Sequence, residues 1–300
     1  DSIFYFLNTR LKIGINHIKS EGGGDSVVLK NVHLMSVNRI SIIADIKISA
    51  MQVNGEDQIA IIIDDMGNRL EHGKRAIALP GPVTVNILPF TPHARYFAEQ
   101  AKKARKEIML HIPMEANSDR YLGAGGLHSG MSRNEFNHIL NRNLDWIPGI
   151  KGVSNHMGSR LTQNKKMMGW FMTGLASYGD LYFVDSRTTA NSIAVDFARK
   201  NQLPHAERDV FLDHEQTMQH VQQQWNRLLR TARRNGSVLA IGHPYAVTIQ
   251  FLEKHLPGLE AQGYKLVSVS ELLQWRQTRR NYAWQTSSFH LHRAAKNSKQ

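Results

Sequence analysis

The sequence predicts a parallel α/β fold, closed or nearly closed into a barrel. Three observations carry this. From Gln58 onward, short β-branched apolar runs alternate with amphipathic segments of helix length, the pattern of strands joined by crossover helices. The runs are apolar throughout, as in strands buried on both faces, rather than at every second residue. Polar residues collect at the end of nearly every run, as a barrel site requires, whereas an open sheet gathers them at one switch point. No glycine-rich phosphate loop follows the first run, which also argues against the open sheet.

Residues 1–57 precede this pattern. They begin at Asp1, are broken by Gly22, Gly23 and Gly24, and show no sustained period, so a poorly structured leader is expected there. The stretch from Met35 has Arg39 and then Ile40 to Ile48, but Asp45 and Lys47 interrupt it, so it makes no clear signal peptide. Strands are expected at 59–63, 83–90, 108–113, 152–156, 181–184, 210–212, 238–241 and 266–269. Helices are expected at 93–106, 133–146, 165–178, 191–202, 215–234 and 247–262, with Ser132, Asn191 and Asp213 as N-cap residues. One barrel domain over 58–275 accounts for these elements, and 276–300 is expected as a basic tail.

Composition narrows the chemistry. Hydrophobic residues make up 41% of the 300, enough for a real core, and no apolar run approaches the roughly 18 residues that span a bilayer. Cysteine is absent, which excludes disulfides, thiolate metal sites and cysteine nucleophiles. Any metal must be held by His, Asp or Glu. The formal charge is +12, but Arg276, Arg279, Arg280, Arg293, Lys296 and Lys299 follow Glu271 without a further acid. Half of the excess therefore belongs to the expected tail. No recognition motif accompanies the charge, so no nucleic-acid partner is expected.

The groups that end the runs are Asp64-Asp65-Met66-Gly67, His111-Ile112-Pro113-Met114-Glu115, Asn155-His156-Met157-Gly158, Asp185-Ser186-Arg187, Asp213-His214-Glu215 and Gly242-His243-Pro244. In a barrel these ends meet at one mouth. Carboxylates and imidazoles brought together there repel or stay poorly solvated unless they share protons or a cation. Histidine with carboxylate suits Zn2+ or another divalent metal in a hydrolase. Of the adjacent pair Asp64 and Asp65, one can bind metal while the other takes a proton from water. With 15 histidines any single one says little, but His111, His156 and His243 all leave strand ends.

Ile62 to Gly67 resembles the opening motif of the polysaccharide deacetylase family, in which two aspartates precede a glycine. Glu107 to His111 resembles the start of that family's metal-binding motif. Asn155 to Ser159 and Phe211 to Asp213 look like motifs of its divergent branch, and Gly242-His243-Pro244 stands where its last catalytic histidine stands. The resemblance covers about 58–275. It implies a distorted seven-stranded (β/α) barrel of the polysaccharide deacetylase type. It also implies a divalent-metal site of Asp65, His111 and His156, with Asp64 as general base and His243 as the acid that protonates the leaving amine. Glu115 falls where the family's second metal histidine stands and is a further candidate ligand. Asp213 is expected to orient a site histidine. Asp185 and Arg187 stand in for an arginine motif that is not evident, Arg187 either holding substrate or tying Asp185 to Asp213. Asn155 completes the substrate shell. A carbohydrate substrate, a periplasmic or cell-envelope location and an envelope protein partner are the remaining expectations from the resemblance.

Overall fold

The computed structural model describes residues 12–20, 27–35, 41–48 and 56–279. The chain divides into two units between Gly55 and Glu56. In the first unit, β1 (Lys12–Ser20), β2 (Val27–Met35) and β3 (Ser41–Ile48) form an antiparallel sheet in that order. The sequence does not announce these strands, because ladder bonds join main-chain groups and need no side-chain period.

The second unit is built on β4 (Asp57–Met66), β5 (Thr84–Ile87), β6 (Ile108–Met114), β7 (Gly152–Met157), β8 (Tyr182–Asp185), β9 (His205–Glu207), β10 (Val210–Phe211), β11 (Ser237–Gly242) and β12 (Tyr264–Val267). Every pairing among them is parallel. The path runs β10-β11-β4-β5-β6-β7-β8-β9, with β12 also paired to β4. This corrects the expected seven strands to eight along the path. The unforeseen one, β9, is only three residues long and has no apolar run to betray it.

Two ends of that path, β9 and β10, are joined by Arg208 and Asp209 alone. Glu207 and Val210 therefore lie at most about 11 Å apart. An eight-stranded path whose edges are so tethered has to curl on itself, and the result is a barrel left unpaired at one seam. β12 fits beside the first half of β4 (Asp57 to Ala60) and β5 beside the second half (Ile62 to Met66), so one flank of β4 serves two strands.

Alternation along β4 fills two cores. Ile59, Ile61 and Ile63 pack in the layer shared with the helices, beside Ala76, Phe97 and Ile249. Ala60 and Ile62 join Met109, Val184, Leu239 and Ile241 in a second cluster inside the curl. Full burial of each such side chain contributes about 1.5–3 kcal/mol. The helices are α1 (Leu70–Ala78), α2 (Ala94–Lys103), α3 (Arg133–Trp146), α4 (Lys165–Tyr178), α5 (Ala194–Lys200), α6 (Met218–Asn235) and α7 (Ala246–His255). An eighth, α8, covers residues 269–279. Its Val269 and Leu272 enter the inner cluster, and Glu107 accepts hydrogen bonds from Tyr182 Oη (2.7 Å) and from the Ser270 amide (3.1 Å). α8 thus closes the end of the barrel where the strands begin. Arg276, expected in a tail, is bonded to Asp209 (2.8 Å) and Ser237 (3.0 Å); residues 280–300 lie outside the described part.

Ser132 caps α3 as expected, its hydroxyl accepting from Glu135 N. Asn191 and Asp213 do not cap helices. α5 begins three residues after Asn191, and α6 is capped by Thr217, whose hydroxyl accepts from His220 N. Among the described residues no helix is long and apolar enough to cross a membrane.

Candidate metal centre

The strand alternation that puts Ala60 and Ile62 inside also turns Asp64 inward, where it is 2% exposed. Asp65, next along, should face the helices. It does not, because the pairing of β4 with β5 slips between Ile63 and Met66 and Asp65 adopts φ 56°. This bulge turns a second adjacent carboxylate to the same side. Aspartate tolerates the left-handed region better than most residues. Phe90, Met157 and Arg187 also have positive φ and lie at or just after other strand ends, so backbone strain gathers at this mouth.

Around Asp65 the side chains converge. Oδ1 lies 2.8 Å from His156 Nδ1 and 3.3 Å from His111 Nε2, and Oδ2 lies 3.8 Å from His243 Nε2. One ligand atom each from Asp65, His111 and His156 lies within 4.8 Å of the others. Asp65 Oδ1 is nevertheless buried and, among the described residues, no donor reaches it with good hydrogen-bond geometry. Burial alone would push this carboxyl up, but the contacts with His111 and His156 hold it well below the usual carboxylate range. A buried, ionised, orphaned oxygen facing two imidazole nitrogens is the arrangement a divalent cation completes, so the residues fit such an ion.

Behind this cluster lies a polar layer that the strand-end groups do not contain. Asn86 Nδ2 is 2.7 Å from Asp64 Oδ1, 2.6 Å from Ser154 Oγ and 2.9 Å from His111 Nδ1. Ser154 Oγ is also 2.7 Å from His111 Nδ1. The available signal was alternation: Asn86 lies two residues after Thr84 on β5, and Ser154 two residues before His156 on β7, so each shares a strand face with another polar residue.

His243 is placed by Asp213, which accepts from His243 Nδ1 (2.9 Å), the His243 amide (2.6 Å) and Thr248 Oγ1 (2.7 Å). Phe211 and Tyr245 lie against its ring, with centroids at 5.4 and 5.3 Å. Burial pushes the imidazolium down, but the bond to Asp213, its charge and those of Asp64 and Asp65 win, raising His243 to about 9.

The remaining candidates sit apart from the metal cluster. Glu115 accepts from Ser129 N (2.6 Å) and pairs with Arg160 (3.4 Å), pinning the loop after β6; His156 on the next strand, and not Glu115, lies in the cluster that could hold an ion. Asn155 donates to Met157 O (2.7 Å) and accepts from Ser186 N (3.0 Å). Asp185 accepts from Arg187 N (2.8 Å) and Ser192 Oγ (2.6 Å). Both therefore hold the strained turns at Met157 and Arg187. The Arg187 side chain pairs with Glu207 (3.3 Å) rather than tying Asp185 to Asp213. Arg208 clamps the same turn, donating to Ser186 O (2.8 Å) and Arg187 O (3.1 Å).

Comparison with known proteins gives a consistent answer. The family model for divergent polysaccharide deacetylase matches residues 61–273. The uncharacterized protein YibQ of Escherichia coli K12 is 37% identical over 216 residues, which cover 72% of this chain and 67% of YibQ. An uncharacterized protein of Haemophilus influenzae is 35% identical over 221 residues, covering 74% of this chain and 78% of its own. Among solved structures, the uncharacterized protein ATU2773 of Agrobacterium tumefaciens C58 superposes with a TM-score of 0.70 at 25% identity, over 73% of this chain and 89% of that one.

Proposed function

The chain belongs to the divergent polysaccharide deacetylase family, and from that premise we propose that it is a divalent-metal-dependent hydrolase that removes acetyl groups from N-acetylated carbohydrate of the cell envelope. One observation carries the reading: Asp65, His111 and His156 converge on an orphaned carboxylate oxygen, with Asp64 and the His243–Asp213 pair beside them.

Asp65, His111 and His156 would hold the ion, Zn2+ being the natural choice for this donor set. Bound there, such an ion supplies Lewis acidity to an amide carbonyl and acidity to the attacking water. Asp64 receives the proton of that water: its Oδ1 is tied to Asn86, while Oδ2 lies 3.4 Å from His111 Nε2, on the side of the metal cluster. His243 carries a proton at neutral pH and hands it to the nitrogen as the C–N bond breaks. Hydroxyl from water ends on the acetyl carbon, the amine leaves protonated and acetate is released. Asp213 keeps the His243 proton donor aimed, through Nδ1, with Nε2 toward Asp65. A periplasmic or cell-envelope location, suggested by the family, suits such a substrate.

A second reading draws on Glu115. With the usual second histidine replaced and turned to the loop, the barrel would bind an envelope glycan or protein without turnover. Elemental analysis of purified protein and acetate release from N-acetylglucosamine oligomers separate the two. The hydrolase reading expects one divalent ion per chain, measurable acetate, and loss of metal uptake in both Asp65→Ala and His156→Ala. Stoichiometric metal retained by both variants overturns the ligand set, and a metal-loaded protein that releases no acetate favours the binding reading.

A further inference from the structure

We propose that Asn86 is the positioning residue of this centre, one amide that sets both the Asp64 carboxylate and, through Ser154, the tautomer of His111. The inference rests on the metal-site reading above. It names two residues that the sequence motifs do not contain.

The geometry is closed on three sides. Asn86 is fully buried on β5, between Asp64 of β4 and His111 of β6. Its amide nitrogen has two hydrogens and faces three polar atoms within 2.9 Å. Two of those atoms, Asp64 Oδ1 and Ser154 Oγ, are good acceptors at 2.7 and 2.6 Å, and they take the two hydrogens. A flipped amide would set its carbonyl oxygen against the Asp64 carboxylate, so the charge on Asp64 fixes which way Asn86 points. The Asn86 carbonyl oxygen is itself buried and finds no partner among the described residues. An acceptor left unpaired away from water is a cost that packing alone does not explain.

Ser154 Oγ, with one lone pair engaged by Asn86, has a second for a hydrogen on His111 Nδ1, 2.7 Å away. With Nδ1 protonated, the lone pair of His111 lies on Nε2, the nitrogen that faces Asp65. This is how a partner behind a ligand raises its basicity and fixes its ring. The same amide holds Asp64 by Oδ1 and leaves Oδ2 toward the metal cluster. The proposed base and a proposed ligand are thereby held by a single side chain, and a change at Asn86 must disturb both.

Calorimetric titration with Zn2+ and the visible spectrum of the Co2+ form test this without relying on turnover. Asn86→Leu fills similar volume without hydrogen-bonding groups, and Ser154→Ala removes only the hydroxyl. Metal affinity is expected to fall 10- to 100-fold in each, with a changed Co2+ spectrum. The double variant should be no weaker than the worse single one, because both act through His111 Nδ1. Asn86→Leu should also lower kcat further than Ser154→Ala, since only Asn86 touches Asp64. If Asn86→Leu fails to fold by circular dichroism, Ser154→Ala carries the metal and spectral test alone. Wild-type affinity and an unaltered Co2+ spectrum in the folded variants overturn the inference while leaving the metal site standing. A wild-type protein that takes up neither Zn2+ nor Co2+ overturns the metal-site reading itself, and this inference with it.

Discussion

Asp213 is expected both to start a helix and to orient a site histidine; at 2% exposure with three donors on its carboxylate, it holds His243 and caps no helix. The error is instructive, because an aspartate after an apolar strand satisfies a cap and a buried histidine equally well on paper. Only the register of β10 beside β11 decides between them. The consequence is measurable. Asp213→Asn removes the charge that raises His243, so that imidazole should titrate well below about 9 and nearer its ordinary 6.5, read by NMR of the ring protons. Linkage gives the sign. A histidine raised in the folded state contributes stability fully below about pH 6.5 and loses it as pH rises through about 9. The denaturation gap between wild type and Asp213→Asn should therefore be widest near pH 6 and shrink toward pH 9.5. A gap that stays constant across that range would mean that the pair is not linked to folding.

Asp64, Asp65, His111, His156 and His243 were legible as candidates because each ends an apolar run. Asn86 and Ser154 were not, because they lie inside their strands rather than in the groups that end them. Glu115 misled through spacing: a motif counts residues along a strand, while the loop that follows is free to turn its side chain elsewhere.

Among the elements, the expected runs correspond to β4 to β8 and β10 to β12, since buried parallel strands write themselves as continuous β-branched stretches. α1 was missed because Gly73 interrupts a short, charged helix. That glycine has a packing reason. A Cβ at Gly73 would stand 2.1 Å from Phe97 Cζ and 2.6 Å from both ring Cε atoms. Gly73→Ala should gain about 0.5–1 kcal/mol of helix propensity, but overpacking a core costs about 1–3 kcal/mol. The clash wins because Phe97 is fully buried, so a net loss of about 1–2 kcal/mol is expected in urea denaturation. A more stable Gly73→Ala protein would show that Phe97 has room to move.

Gly152 answers to a similar constraint in the inner layer. Its absent Cβ leaves space for the Tyr182 ring, whose atoms lie 2.1 to 2.4 Å from where that carbon would be. Tyr182 in turn reaches Glu107 and, through it, α8. Here local sequence is silent, because nothing near Gly152 reveals which ring will need the room.

For the molecule as a whole, the barrel has a chemical end and a closed end. α8 seals the latter through the Tyr182–Glu107–Ser270 contacts and through Val269 and Leu272. Tyr182→Phe removes one of the two donors to Glu107 Oε1 and should cost about 0.5–1.5 kcal/mol. Faster amide hydrogen exchange is expected across 269–279, with little change at α3. Unchanged exchange in α8 would mean that its apolar contacts suffice. Curling, complete or nearly so, was foreseeable from strand-end chemistry, but which of the two was not, since the seam depends on two edge strands of three and two residues.

The left-handed torsion at Asp65 has an evolutionary corollary. Asparagine tolerates the same backbone region, so Asp65→Asn could leave the bulge, the barrel and every neighbouring strand where they are while deleting the anionic oxygen. Descendants of this scaffold can thus shed the charge that the proposed metal site depends on, through one amide for one acid, and keep an unaltered silhouette.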